Sequence, residues 1–260
     1  MFKENIHKKK RRSIIYIGYG AGAICCVRGR DLLYRYCSEH NIPHKQIGKL
    51  IVATRASEIP KLDDLMNRGI QNGVDGLRMM EGYEAMRMEP ELRCLKALLS
   101  PLSGILDSHS LMLSLVGESE NNGATFSYNT TVVGGYLEEH HICLHISETK
   151  HLKNWDGGSP SHSELVLIPN LVVNSAGLIV PLAYYARGCY FTFSSSKAPP
   201  FNHLIYPIPE EGGLGVHVTL DLDGQMKFGP DVEWIDGIDD ISSFLNNSPN
   251  TLKSLTVDFS

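Results

Sequence analysis

Several short stretches of this 260-residue chain carry side chains at spacings that could do chemistry. In Gly212-Gly213-Leu214-Gly215-Val216-His217-Val218-Thr219, glycines precede an apolar run that holds one histidine. An imidazole titrates near neutrality, so His217 beside a substrate hydroxyl could take its proton. A sheet histidine holding a structural hydrogen bond accounts for the same residues, and the bare sequence leaves both open. Arg187, in Tyr184-Tyr185-Ala186-Arg187-Gly188, could fork onto a carboxylate; a single arginine serves equally as a surface or structural residue. The run from Leu167 to Leu178 is apolar and ends in Asn174-Ser175-Ala176-Gly177. Small residues at the carboxyl end of a buried strand let backbone approach a bound cofactor, and they equally suit an ordinary strand-to-loop turn.

Other candidates carry less. His140, His141 and His145 follow Glu138 and Glu139 and look at first like metal ligands. Strand alternation sets Ile142, Leu144 and Ile146 on one face and His141, Cys143 and His145 on the other, which reads as a polar sheet face. No further ligand set has zinc spacing, so no metal site is expected. There is no G-x-S-x-G and no P-loop, which leaves serine-hydrolase and nucleotide-triphosphatase chemistry without support. Gly18-Tyr19-Gly20-Ala21-Gly22-Ala23 fits G-x-G-x-x-G/A after Ile14-Ile15-Tyr16-Ile17. The acidic residue that should hold a ribose about 20 residues on has only Glu39 as a candidate, and Glu39 closes a helix-like segment rather than a strand. The same stretch can be read as a secretory signal without a clean cleavage site, or as a transit peptide without the spaced Arg/Ser pattern. A disordered or adventitious leader is the expectation set ahead of the fingerprint.

The elements that would position these residues follow from periodicity. Val27 to His40 has apolar positions at helical spacing, and Asn41-Ile42-Pro43 closes it. Ile47 to Ala53 reads as a strand, Ile59 to Gln71 as a helix capped by Asn72-Gly73, and Leu77 to Met80 as weakly strand-like. Tyr83 to Met88 is a helical turn stopped at Glu89-Pro90, Leu95 to Leu99 leads into the turn at Pro101 to Gly104, and Asp107 to Ser110 starts a helix over Leu111 to Ser119. Strands are expected over Thr125 to Val133, His141 to Ser147 and Glu164 to Ile168, with a short apolar run at Leu171 to Asn174. A set of antiparallel strands follows at Gly188 to Ser194, Leu204 to Ile208, Gly215 to Asp221 and Gln225 to Phe228, with Asp223-Gly224 as a hairpin turn. Helices and strands alternate early and strands cluster late, which predicts an α/β or α+β body.

Composition bounds the partners. The chain is 42% hydrophobic and 20% charged, enough for a real core, and its net charge of -5 gives no reason to expect nucleic acid as a partner. The first dozen residues carry Lys3, Lys8, Lys9, Lys10, Arg11 and Arg12 against Glu4, so the acidity lies entirely in the remainder. Cys25, Cys26, Cys37, Cys94, Cys143 and Cys189 form no C-x-x-C pair, which favours reduced thiols. No apolar run reaches the roughly 18 to 20 residues that span a bilayer.

Long strings add a resemblance. The run from Cys26 to Thr54 (CVRGRDLLYRYCSEHNIPHKQIGKLIVAT), the segment from Gly76 to Met112, the VVNSAGL stretch, YARGCYF, and YPIPEEGGLGVHVTLDLDGQMKFGPDVEW together resemble the plant branch of the L-2-hydroxyglutarate dehydrogenase family. That family lies within the FAD-dependent D-amino-acid-oxidase-like oxidoreductases. The match runs over roughly residues 24 to 237. It implies a partial FAD-binding domain of Rossmann type from 24–43 and 107–183, and an antiparallel-sheet substrate domain from 44–106 and 184–237. Residues 1–23 are left as a basic and apolar leader and 238–260 as a polar, divergent tail.

The resemblance also implies chemistry. A small 2-hydroxy acid, L-2-hydroxyglutarate, would be oxidised to 2-oxoglutarate by hydride transfer to FAD, with an electron acceptor it does not identify and a mitochondrial location. Val132 and Val133 match the strand near the cofactor's adenosine half, and Asn174, Ser175, Ala176 and Gly177 match the strand end that lies against FAD. His217 matches the family's G-V-H histidine and is the candidate base; Arg187 matches the R-G string on the substrate side. The family's glycine turn and its ribose-binding acid lie upstream of the matching region, GYGAGA falls where the family carries H-A-G-I-Y-Y-P, and a helix after Gly177-Leu178 and a carboxyl-terminal flavin segment have no counterpart here. These departures predict a truncated chain that binds flavin weakly or not at all. The alternative function is thus a non-catalytic fragment unable to hold FAD.

Overall fold

In the computed structural model, the residues described are 21–139, 141–152, 164–173, 185–193, 199–209 and 215–235. In chain order they form α1 (Ala21–Glu39), β1 (His44–Gln46), β2 (Lys49–Ala53), a 3-10 turn (Ala56–Glu58), α2 (Ile59–Gln71), β3 (Arg78–Glu81), α3 (Gly82–Met88), β4 (Lys96–Ser100), β5 (Gly104–Leu106) and α4 (Ser108–Asn121). There follow β6 (Thr130–Glu138), β7 (His141–Glu148), a second 3-10 turn (Thr149–Leu152), β8 (Leu165–Leu167), β9 (Tyr185–Thr192), β10 (Leu204–Pro207), β11 (His217–Leu220) and β12 (Met226–Ile235). The class is mixed α/β, as the alternation of helical and strand periods requires. Two compact units divide the chain, residues 1–115 with 184–260 and residues 116–183.

The larger unit is built on a seven-stranded sheet in the order β3-β4-β2-β10-β11-β12-β9. Its centre is apolar on both sides because β2 is buried along its whole length. One face packs Leu50, Val52, Ile205 and Val218 with Ala85 of α3 and Leu92. The other packs Ile51, Leu98, Leu204 and Tyr206 with Leu62 and Leu65 of α2 and Ile105 of β5. The helix α2 earns that position through Leu62, Leu65 and Met66, at three- and four-residue spacing, with Pro60 in its first turn. A short ribbon of β1 with β5 lies apart from the main sheet's ladder, and α1 reaches Leu102, just before β5, where the Tyr34 hydroxyl donates to the Leu102 carbonyl. In the smaller unit, β6, β7 and β8 form a three-stranded antiparallel sheet.

Several expectations are corrected. The helix α1 begins six residues before Val27, since alanines and glycines carry no amphipathic signal yet do not forbid helix. Lys96–Ser100, expected only to lead into a turn, is the strand between β3 and β2; being buried on both faces, it shows no alternation. The three-residue strands β1 and β5 are too short for any period to show. The strand β6 starts at Thr130 rather than Thr125 and runs past Val133 to Glu138, because pairing with β7 carries it over Gly134-Gly135 despite their low strand propensity. The strand β12 runs seven residues past Phe228, carried over Pro230 by a bulge between Phe228 and Asp231. The late strands β10, β11, β12 and β9 are mutually antiparallel as expected, whereas β10 pairs with β2 in parallel. On β7, Cys143 is 1% exposed, so the face with His141 and His145 is not simply polar.

Candidate active site

The site is built where five strands of the large sheet, β2, β10, β11, β12 and β9, lie side by side. The register Ile205↔Val218 sets Tyr206 of β10 opposite His217 of β11, and His217 pairs in turn with Gly229 of β12. The Tyr206 and His217 rings stack, with centroids 4.1 Å apart and planes 16° from parallel. Across the gap at Gly229, the Tyr190 ring of β9 meets His217 edge-on, with centroids 6.0 Å apart and planes at 73°. On the other flank, the Lys49 ammonium of β2 lies over the Tyr206 ring, 4.0 Å from its centroid. Alternation places all four side chains on one sheet face, so Lys49, Tyr206, His217 and Tyr190 form a row across β2, β10, β11 and β9.

Backbone geometry explains why the row can exist. Gly229 has φ +146 and its missing Cβ would come within 2.6 Å of the Cys189 carbonyl and 2.8 Å of Tyr190 Cδ1, so only glycine leaves room for the Tyr190 ring. Gly215 has φ +67 and packs against Pro207. It holds its carbonyl 2.9 Å from Nδ1 of His217. A carbonyl oxygen only accepts, so Nδ1 carries the proton and donates it, leaving the Nε2 lone pair of the neutral ring as the acceptor. The start of β10 is pinned by Glu89, which is fully buried: its Oε1 accepts from the backbone N–H of Asn202 and of His203, each at 2.9 Å, and from Nδ1 of His203.

Burial sets the electrostatics. His217 is 5% exposed, and loss of water holds its pKa below the ordinary 6.5; the Gly215 carbonyl opposes that shift and the nearby Lys49 charge adds to it. Lys49 is equally buried, and desolvation lowers its pKa to about 7. Burial likewise raises the Tyr190 hydroxyl. A pocket of about 460 Å³ is lined by His217 together with Val52, Ile205, Val218, Arg93 and Cys94. Most of its wall belongs to the sheet face opposite the row. The Arg93 guanidinium there is committed to backbone, donating from Nη1 to the Pro90 and Leu92 carbonyls at 2.7 Å.

The expected site residues fall in different places. His217 lies in the row. Arg187 lies on β9 with its backbone paired to Glu233. Val132 and Val133 lie on β6 of the smaller unit, Val132 exposed and Val133 buried, at a bulge before Gly134. Asn174, Ser175, Ala176 and Gly177 lie outside the described residues, as does the Gly18 to Gly20 part of the glycine string and His140. Among the described residues, no group of three or more His, Cys, Asp or Glu side chains could hold a metal ion, and no helix is long and apolar enough to cross a membrane. Sequence reasoning missed Lys49, Tyr206 and Tyr190. Lys49 did leave a signal, a charge inside the otherwise apolar run Ile47 to Ala53; the two tyrosines left none beyond their strands.

Comparison with known proteins adds a lineage. Residues 14–255 match the family model described as FAD dependent oxidoreductase. The chain is 60% identical to the mitochondrial L-2-hydroxyglutarate dehydrogenase of Arabidopsis thaliana, over 85% of this chain and 52% of that protein. It is 30% identical to the mitochondrial L-2-hydroxyglutarate dehydrogenase of Homo sapiens, over 86% of this chain and 54% of that one. The chain thus spans about half the length of the curated relatives it matches. Its fold is similar to that of L-proline dehydrogenase from P. horikoshii, with a TM-score of 0.65 at 18% identity over 86% of this chain and 59% of that chain. It is also similar to L-alpha-glycerophosphate oxidase from Mycoplasma pneumoniae, dithionite-reduced with FAD bound, with a TM-score of 0.62 at 21% identity over 82% and 56%. Identities this low speak to the fold alone.

Proposed function

The chain belongs to the FAD dependent oxidoreductase family, and from that premise we propose that it oxidises L-2-hydroxyglutarate to 2-oxoglutarate with FAD as the oxidant. The observation that carries the reading is His217, a buried imidazole whose Nδ1–H is held by the Gly215 carbonyl and whose Nε2 is therefore a ready proton acceptor. The names of the relatives support the substrate and a mitochondrial location. A mostly apolar pocket of about 460 Å³ counts His217 among its lining residues, on the sheet face opposite the one where the imidazole stacks on Tyr206. Val132 and Val133 on β6, and Asn174, Ser175, Ala176 and Gly177, are the residues we assign to holding FAD. When bound, FAD supplies a two-electron acceptor for the hydride on the substrate's hydroxyl-bearing carbon.

The rest is the work of this chain's own side chains. Nε2 of His217 takes the hydroxyl proton as the C–H bond breaks, so the carbon–oxygen bond becomes a carbonyl and charge balances. Gly215 keeps the imidazole in the tautomer that can do so, Tyr206 fixes its plane by stacking, and Tyr190 abuts its edge. Burial keeps the ring neutral at pH 7, hence competent as a base. Arg187 is assigned to a substrate carboxylate. Domain roles follow: 44–106 with 184–237 on the substrate side, and 24–43 with 107–183 on the cofactor side.

The test is anaerobic. The protein is mixed with excess FAD and L-2-hydroxyglutarate, and the flavin absorbance is followed. The expected outcome is bleaching that slows about 100-fold or more in H217Q and falls on the acid side only below pH 6.5, since protonating the imidazole removes the base. No bleaching with FAD and substrate both saturating overturns the assignment and favours a non-catalytic protein.

A further inference from the structure

Lys49 is a buried cation without a described counter-ion. It is 5% exposed on a strand whose other side chains are apolar. The groups that face it are the Tyr206 ring on β10 and, at the other contact of that ring, the imidazole of His217 on β11. Its register partners are Ser100 on β4 and Leu204 on β10, neither of them charged. Loss of water alone accounts for its lowered pKa, so among the described residues no carboxylate acts on it. An ammonium taken out of water is costly unless an anion joins it, and contact with an aromatic face offsets only part of that cost. The ammonium is 4.0 Å from the Tyr206 centroid and the imidazole centroid is 4.1 Å from the same point, so ammonium and imidazole are no further apart than the sum of these distances.

A buried lysine separated from the candidate base by one aromatic ring is suited to an anion brought by the substrate. We infer that Lys49 is the cationic anchor for a carboxylate of the bound hydroxy-diacid, held on the side of the Tyr206 ring away from His217. The identity of the diacid rests on the function proposed above; the capture of a carboxylate at Lys49 does not. The ammonium is the donor and both carboxylate oxygens accept, which is a charge-assisted pair in a site with little water. Since the unliganded amine is largely neutral above pH 7, anion capture draws a proton onto it. A lysine with a purely structural role takes up none.

The experiment is calorimetric titration of the purified protein with 2-oxoglutarate at pH 8, in two buffers of different ionisation enthalpy. Wild type is expected to bind with uptake of close to one proton. K49M is expected to bind at least about tenfold more weakly, whereas K49R keeps affinity within about threefold and takes up no proton, because arginine is always charged. H217Q is expected to retain the proton uptake, which assigns it to Lys49 rather than to the imidazole. Unchanged affinity in a folded K49M overturns the inference, as does wild-type binding without proton uptake or no wild-type binding at millimolar 2-oxoglutarate. Should K49M not fold, wild type and K49R still decide the matter through proton uptake. Binding through Lys49 without flavin bleaching sinks the dehydrogenase assignment alone, and bleaching with affinity unchanged in K49M sinks the anchor alone.

Discussion

At Lys49, folding moves the ammonium's pKa from 10.5 to about 7 because the side chain is stripped of water. The unfolded chain keeps this proton up to about 10.5 and the folded chain releases it near 7, so between those values the unfolded state binds more protons and stability rises with pH. Below pH 7 both states are charged and the desolvation penalty is constant. The wild-type protein is therefore expected to gain stability relative to K49M from pH 7 to 10, by at most about 1.4 kcal/mol per pH unit. Urea unfolding of the two proteins at pH 6, 8 and 9.5 measures it, and a difference that is flat across this range contradicts the buried, unpaired state of Lys49. His217 shifts in the same direction for the same leading cause, with the neighbouring Lys49 charge reinforcing it. Two buried bases on strands that flank β10 are thus both held toward neutrality, the state in which each can take up a proton.

At the scale of elements, the row depends on how β12 crosses between β11 and β9. The bulge between Phe228 and Asp231 and the absence of a side chain at Gly229 together open the space that the Tyr190 ring occupies against His217. A valine at Gly229 would place Cβ against the Cys189 carbonyl and the Tyr190 ring, at a φ of +146 that branched side chains do not adopt. G229V is expected to cost about 2–4 kcal/mol and to displace Tyr190. A thermal melt reads the first effect, and loss of the ring-current shift on the His217 protons reads the second. A melt within a degree of wild type, with the shift intact, would show that the strand crossing tolerates a side chain there. The anchoring of β10 is a second element-level device: Glu89, at the end of α3, reaches over one hundred positions along the chain to gather the N–H groups of Asn202 and His203 just ahead of the strand that bears Tyr206.

At the scale of the molecule, the two compact units differ in what they bury. In the larger, β2, β4 and β10 are enclosed between apolar side chains on both faces. In the smaller, Leu165, Val166, Leu167, Ile168, Leu171 and Val173 are all exposed, and among the described strands β8 pairs with β7 alone. Local stability follows burial and ladder enclosure. Hydrogen exchange is expected to protect the amides of β2 and β10 at least about 100-fold more than those of β8, a ratio that mass spectrometry of peptides covering 49–53, 204–207 and 165–167 resolves. Equal protection would mean that β8 is covered on its free edge.

The amino-acid sequence by itself determined the class, the long helices and the family, and it singled out His217 as a candidate. These rest on local periods and on strings of residues that survive without knowledge of neighbours: Leu62, Leu65 and Met66 announce α2, and the G-V-H string singles out its histidine. It could not show β4, whose burial on both faces erases alternation, nor the far end of β12, where Pro230 argued against a strand until a bulge accommodated it. Only the tertiary structure decided that β10 lies parallel to β2. That pairing brings Lys49 to Tyr206, and the antiparallel pairing of β10 with β11 brings Tyr206 to His217; register between distant strands is set by packing, which no local pattern encodes.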